Sequence, residues 1–168
     1  MQHDQTAVSV VCLTGHRDIP INHMEQLPSI IERRLRELIA RGAVEIRAGG
    51  ALGFDMVATL KVLELKQEFP QLTLTLFLPC RDQTKGWRES WCRVYDYILQ
   101  RADRVHYETD AYTRGCMLAR DRRLVEGSDV CLCYCTRRTG GTFYTCSYAK
   151  QQGLELINLA ADLPRTQK

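Results

Sequence analysis

Two glycine-rich turns are the segments of this chain best suited to bind a charged ligand: residues 49–55 (GGALGFD) and 139–142 (TGGT). Each follows an apolar run typical of a buried strand and opens a segment typical of a helix. Glycine lets the backbone approach a ligand closely, and a helix start presents unpaired N–H groups with a partial positive charge. The turns therefore predict an anion site, most simply for a nucleotide phosphate. The residues assigned to that phosphate are Gly49, Gly50, Gly53, Gly140, Gly141 and Thr142.

A third turn, Thr14-Gly15-His16-Arg17, offers a hydroxyl, a flexible hinge, an imidazole and a guanidinium within four residues. Arg17 is predicted to clamp phosphate. His16 has two interpretations: an acid or base near neutral pH, or a side chain that holds the turn through the backbone. Because no nucleophile is paired with it, we favour the positioning role.

Arg120 is the charged residue that the sequence most clearly predicts to be buried. It lies three residues after Met117 and four before Leu124, so it shares their inward-facing helical stripe. A buried guanidinium must find an anion. The neighbouring Asp121 could be a purely structural partner, or Arg120 could bind a ligand's phosphate or ribose.

Asp55 falls in the first turn of the second predicted helix, where it either favours the helix dipole or reaches ribose hydroxyls. The surrounding pattern, G-G-x-x-G, is neither the dinucleotide fingerprint nor a P-loop. NAD hydride chemistry and ATP hydrolysis therefore lose support.

Length and composition predict a single domain spanning residues 1–168, with short disordered tails at 1–6 and 164–168. The net charge of +3 is too small to argue for nucleic acid. No basic leader precedes the first apolar run, and no run approaches the ~20 residues of a spanning helix. We expect a cytoplasmic protein with no membrane partner.

The eight cysteines include no C-x-x-C pair. Cys131, Cys133 and Cys135 alternate along one predicted strand, which is a poor geometry for a tetrahedral metal. We interpret the cysteines as small buried hydrophobes in a reducing compartment and expect no metal and no cofactor.

Six apolar runs predict strands at residues 7–13, 44–48, 72–78, 104–107, 130–134 and 154–159, separated by five helical patterns. This alternation predicts an α/β fold with a mostly parallel sheet and helices on both faces. Ligands bind such sheets beyond the carboxyl ends of the strands. The turns above gather at that edge, together with residues 79–82, which begin with Pro79.

Two of the predicted helices carry further expectations. The third presents Trp87, Trp91 and Tyr95, which we assign to the core rather than to a base-stacking platform. The fourth is predicted at residues 112–126.

The motifs described so far resemble the SLOG superfamily, which includes the DprA (SMF) proteins and the LOG phosphoribohydrolases. The residues that carry the resemblance are T14-GHR, G50-ALGFD, L78-PC, Y112-TRGCM and G140-GT, and they span about residues 8–158. The YpsA-like branch, long of unknown function, is the most similar. The resemblance implies a Rossmann-like three-layer sandwich that binds nucleotides or their derivatives at these loops, and it makes Pro79 a site residue.

The resemblance also implies a comparison with LOG catalysis. Arg120 matches the arginine that serves base–ribose cleavage, so it is the candidate catalytic residue. The glutamate that should follow the second glycine turn falls on Thr145, which weakens the case for hydrolysis, although Asp55 or Asp121 could substitute.

Three hypotheses follow. The first is a nucleotide-binding sensor or regulatory domain, and the second is a nucleoside monophosphate phosphoribohydrolase. The third, less favoured, is a single-stranded nucleic-acid binder that uses the rim residues Arg81, Lys85, Arg88, Arg137 and Arg138. The resemblance also allows for a homodimer, because dimers are common in the superfamily.

Overall fold

A computed structural model describes residues 6–165, so the tails predicted at 1–6 and 164–168 lie mostly outside the described residues. The strands are β1 (Val10–Gly15), β2 (Glu45–Ala48), β3 (Thr73–Cys80), β4 (Arg104–Thr109), β5 (Val130–Tyr134) and β6 (Glu155–Asn158). The helices are α1 (Ile21–Ala40), α2 (Phe54–Glu68), α3 (Glu89–Arg101), α4 (Cys116–Val125) and α5 (Gly140–Gln151). A short 3₁₀ turn, Leu159–Asp162, follows β6.

All six strands are parallel and lie in the order β4-β3-β2-β1-β5-β6, which confirms the predicted α/β, Rossmann-like fold. The chain builds outward from β1 to β4 and then returns, so that β5 pairs with the other side of β1. Strand order therefore reverses between β1 and β5. This switch point opens a crevice at the carboxyl edge of the sheet.

Successive side chains of the central strands point to opposite faces of the sheet, so there are two cores, one on each face. Val11 and Leu13 of β1 pack with α1, α2 and α3, whereas Cys12 faces α4 and α5. In β5, Cys131 and Cys133 join Cys12, and every residue of that strand is buried. Two covered faces explain why these strands are almost continuously apolar.

The structure corrects two predictions. Helix α4 begins at Cys116 rather than at residue 112, because Gly115 at φ 86° takes a left-handed conformation that interrupts any earlier turn. Trp87 precedes α3, and Trp91 is 44% exposed, so the aromatic face is only partly core. Tyr95 is buried as expected.

None of the helices in residues 6–165 combines the length and the apolar character that crossing a membrane requires.

Candidate ligand-binding site

A cleft of about 400 Å³ opens at the carboxyl ends of β1 and β5. The loops after β1, β2 and β5 and the inner face of α4 enclose it. Both glycine-rich turns reach it, the first through Ala51 and Asp55 and the second through residues 139–142. The convergence expected at this sheet edge is therefore present.

The cleft brings together most of the sequence-predicted site residues. Those that line it are Thr14, Gly15, His16, Arg17, Asp55, Arg120, Gly140, Gly141 and Thr142. Four others lie outside the lining: Gly49, Gly50, Gly53 and Pro79. Pro79 is in β3, where its carbonyl accepts a hydrogen bond from the Thr109 hydroxyl at 3.0 Å.

Two glycines of the first turn serve close packing between elements. A Cβ on Gly53, whose φ is 81°, would lie 2.4 Å from the carbonyl oxygen of Arg17. A Cβ on Gly49 would lie 2.5 Å from the guanidinium of Arg120. The missing side chains let the β1 turn and α4 approach this loop, which positions the floor of the cleft.

Arg120 is buried and engages protein groups along one side of its guanidinium. Its Nε donates to Asp121 Oδ1 at 2.8 Å, and Nη1 donates to the carbonyl oxygen of Gly49. The ion pair with Asp121, one of the two alternatives considered for Arg120, is therefore present. Among the described residues, the one hydrogen-bond partner of Nη2 is the Met117 sulfur, at 3.9 Å, and Arg120 lines the cleft.

Two buried carboxylates balance the arginines. Desolvation raises the pKa of Asp55 to about 6, although the charge of Arg120 opposes the shift. Burial also raises the pKa of Asp121, again against the attraction of Arg120. Asp55 Oδ2 accepts the Ala51 N–H at 3.3 Å. Both side chains accept a proton more readily than ordinary surface carboxylates.

His16 connects the turns after β1 and β5. Its Nε2 accepts the backbone N–H of Thr136 at 2.9 Å, and its carbonyl oxygen accepts the N–H of Phe54 at 3.1 Å. Burial and the charge of Arg137 lower the pKa of His16, which keeps the accepting nitrogen unprotonated. These contacts agree with the positioning role favoured from the sequence.

The start of α5 is the part of the cleft best suited to an anion. Gly140 has φ 89° with open space where a Cβ would lie, and Gly141 follows in the helix. The side chain of Thr139, the N-cap residue of α5, makes no capping hydrogen bond. The first N–H groups of the helix therefore face the cleft together with Arg137 and Arg17.

Several lining residues are not among the ligand-binding residues predicted from the sequence: Asp18, Ala51, Met117, Asp121, Leu124, Arg137 and Thr139. Asp121 enters the sequence analysis only as the partner of Arg120 or as a substitute carboxylate. The sequence predicts Arg137 on the rim, and its position three residues after β5 is the signal that could have assigned it to the cleft. Met117 and Leu124 form an apolar wall. Their inward stripe was recognised, but periodicity does not distinguish a core wall from a cleft wall.

Comparison with known proteins agrees with this architecture. The YpsA family model, described as the YspA SLOG family, matches residues 11–158. The chain belongs to this SLOG family. A UPF0398 protein of Bacillus thuringiensis (strain Al Hakam) is 26% identical over 160 residues, covering 87% of this chain and 85% of that protein. A UPF0398 protein of Bacillus cereus has the same identity and coverage.

A solved structure similar to this chain is that of DNA processing protein A from Helicobacter pylori, described for its single-stranded DNA binding mode. It aligns with a TM-score of 0.63 at 22% identity over 89% of this chain. The chain spans only 64% of that protein. The likeness shows that the two proteins share a fold.

Proposed function

We propose that this SLOG domain binds a nucleotide or nucleotide-derived ligand in the cleft between β1 and β5, as a sensor or regulatory domain. The observation that carries the proposal is the α5 start. Two glycines and an uncapped first turn face the same 400 Å³ space as Arg17, Arg120 and Arg137. A helix N-terminus beside arginines favours a phosphate group.

The rest of the cleft suits the other parts of a nucleotide. The pKa of Asp55, about 6, lies near physiological pH. The ionised carboxylate can accept a hydrogen bond from a ribose hydroxyl, and the protonated carboxyl group can donate one to it. Met117 and Leu124 offer apolar surface to a base. The space is large enough for a mononucleotide by comparison with typical small-molecule sites of ~300–1,000 Å³.

Calorimetric titration with AMP, adenosine and inorganic phosphate tests this proposal. We expect AMP to bind more tightly than adenosine. Arg137→Ala should weaken AMP binding about tenfold, as expected for a lost charged hydrogen bond. Arg138→Ala is the matched control, because Arg138 is the exposed neighbour that does not line the cleft. Equal binding of AMP and adenosine, or equal effects of the two substitutions, would contradict the proposal.

A second candidate function is binding of single-stranded nucleic acid. It is supported by the fold shared with DNA processing protein A and by the exposed side chain of Arg137, which lines the cleft. Titration with oligonucleotides of increasing length distinguishes the two functions. A nucleic-acid site would gain affinity with length and lose it steeply with salt, whereas a mononucleotide site would do neither.

Base–ribose cleavage remains a prediction to be tested by the release of free base from AMP. Thr145, at the expected glutamate position, donates its hydroxyl to the Gly141 carbonyl at 2.9 Å. The carboxylate beside it belongs to Asp121, which Arg120 already engages. We therefore expect little or no release of base, and release abolished by Arg120→Ala would favour the hydrolase.

A further inference from the structure

Strand β4 forms one open edge of the sheet, and β6 forms the other. The Thr73 N–H donates to the carbonyl oxygen of Val44, just before β2, so odd-numbered residues of β3 face β2 and even-numbered ones face β4. The register places Arg104 between Leu74 and Leu76, so even-numbered residues of β4 turn their backbone groups towards β3. The β4 backbone groups that point away from the sheet belong to Val105, Tyr107 and Thr109.

The outward backbone groups of β4 are accessible to an added strand. No backbone hydrogen bond from another segment of residues 6–165 reaches them. A groove of about 420 Å³ follows this edge, lined by residues 105–110 and by Arg81 and Arg123. The Arg81 guanidinium stacks on the Tyr107 ring at 4.2 Å, and Arg123 Nε pairs with Glu108 Oε1 at 2.9 Å. Both arginines are thus held on their own chain beside the groove.

The other open edge is less suited to strand pairing. Strand β6 has four residues, and a 3₁₀ turn follows it directly. The Glu155 N–H donates to the carbonyl oxygen of Asp129, beside β5, so only Leu156 and Asn158 direct backbone groups outward. The Asn158 side chain is already bonded to the backbone of Cys135. The β4 edge therefore offers the longer run of free backbone groups.

The charges along β4 change sign from one end to the other. Arg104 begins the strand and His106 lies on the same face, whereas Glu108 and Asp110 lie at the far end. Arg104 is exposed, and the Asp110 side chain is 92% exposed. Charges on an edge strand usually discourage pairing. Here an antiparallel copy would bring opposite charges together, whereas a parallel copy would bring like charges together.

We propose that two copies of this chain pair in antiparallel fashion through β4, about a twofold axis at Tyr107, so that their two six-stranded sheets become continuous. Val105 then lies opposite Thr109 of the second copy, and the outward backbone groups of both strands are hydrogen-bonded. An isologous contact of this kind closes at two copies. The interface lies outside the β1–β5 cleft, so this inference does not depend on the proposed function.

The same register explains the order of the charges. It sets Arg104 opposite Asp110 of the second copy, and His106 opposite Glu108 of the second copy. Both are non-hydrogen-bonded pairs, in which facing side chains approach most closely. The twofold axis repeats each pair, so every charge on the strand contributes to the dimer twice.

Sedimentation equilibrium over a range of protein concentrations tests the charge pairing. Wild type should form dimers and nothing larger. Arg104→Glu and Asp110→Arg should each weaken dimerisation about tenfold, because each places like charges together twice. The double variant carrying both changes should recover most of the lost affinity. Arg138→Glu is the control, because it makes the same charge change on an exposed residue beyond β5 and should leave dimerisation unchanged.

Three results would overturn the proposal: a monomer at every concentration, a dimer that Arg104→Glu leaves intact, or a folded double variant that recovers nothing. Both substituted positions are exposed, so the variants should fold, and circular dichroism checks this.

Hydrogen exchange of the wild-type amides locates the interface without any substitution. The amides of Tyr107 and Thr109 should exchange more slowly as rising concentration forms the dimer. The amide of Leu156, which points outward from β6, is the control and should not change. Protection of Leu156 instead, or unprotected Tyr107 and Thr109 in a sample that is dimeric, would overturn the proposal.

Discussion

The guanidinium of Arg120 on α4 donates a hydrogen bond to the carbonyl oxygen of Gly49, which follows β2. Gln83 Nε2 donates to the same oxygen at 3.3 Å. The glycine turn after β2 is thereby fixed to α4 across the carboxyl edge of the sheet. Arg120 thus has a structural role whether or not its third nitrogen binds a ligand.

Gly49→Ala tests this relationship. Its Cβ would overlap the Arg120 guanidinium, so we expect a loss of about 1–3 kcal/mol in the free energy of unfolding, the usual cost of overpacking. Denaturant unfolding measures it. Gly141→Ala is the control, because a Cβ there meets its nearest neighbour at an ordinary 4.0 Å. Equal stability of the two variants would contradict the packing role of Gly49.

Gly140→Ala separates conformational strain from ligand binding. Its φ of 89° should cost about 1–2 kcal/mol of stability with any side chain, and it should displace the first N–H groups of α5. Gly153→Ala has the same kind of strain, at φ 81°, beyond the other end of α5. Both variants should lose stability in denaturant, but only Gly140→Ala should weaken AMP binding. A loss of affinity in both would show a general effect of destabilisation.

The sheet could be predicted because each strand is a short apolar run and the alternation with helices dictates parallel pairing. The order of the strands in the sheet could not be predicted, because the hydrophobic periodicity of the sequence does not reveal that β5 returns beside β1. That order decides which turns meet. The prediction that α4 begins at residue 112 is wrong for a local reason. Gly115 takes a left-handed conformation, and nothing in the sequence of residues 112–114 argues against a helix there.

The site could be predicted at the level of turns but only partly at the level of residues. Gly49 and Gly53 stand where glycine is required, yet the requirement comes from Arg120 and the Arg17 backbone rather than from a ligand. Close packing and close approach of a ligand both select glycine, so the sequence cannot tell one from the other. The residues packed against a glycine do tell them apart, and these residues lie far away in the sequence.

Asp55→Asn should change the pH dependence of stability. The folded pKa of about 6 exceeds the ordinary 3.8, so the folded state holds this proton more tightly and loses stability as pH rises between these values. The variant should match wild type near pH 4 and exceed it by about 1–3 kcal/mol above pH 7. Chemical denaturation across this range measures the difference. A constant difference at all pH values would contradict burial as the cause.

His16→Gln should show the opposite sign. Burial lowers the pKa of His16 below 6.5, so the stability from its unprotonated nitrogen is present above that pH. It is lost as pH falls through the lowered pKa. Subtracting the unfolding free energies of the variant from those of wild type should give a difference that shrinks on acidification. A difference that grows on acidification would mean that His16 is held as the cation.

The most direct test of the central claim is amide-detected NMR of the protein titrated with AMP. The account predicts that the backbone resonances of Gly140, Gly141 and Thr142 shift in a saturable way, and that adenosine at the same concentrations shifts them much less. Saturable AMP shifts confined to residues away from the β1–β5 cleft, or no shifts at all, would contradict it.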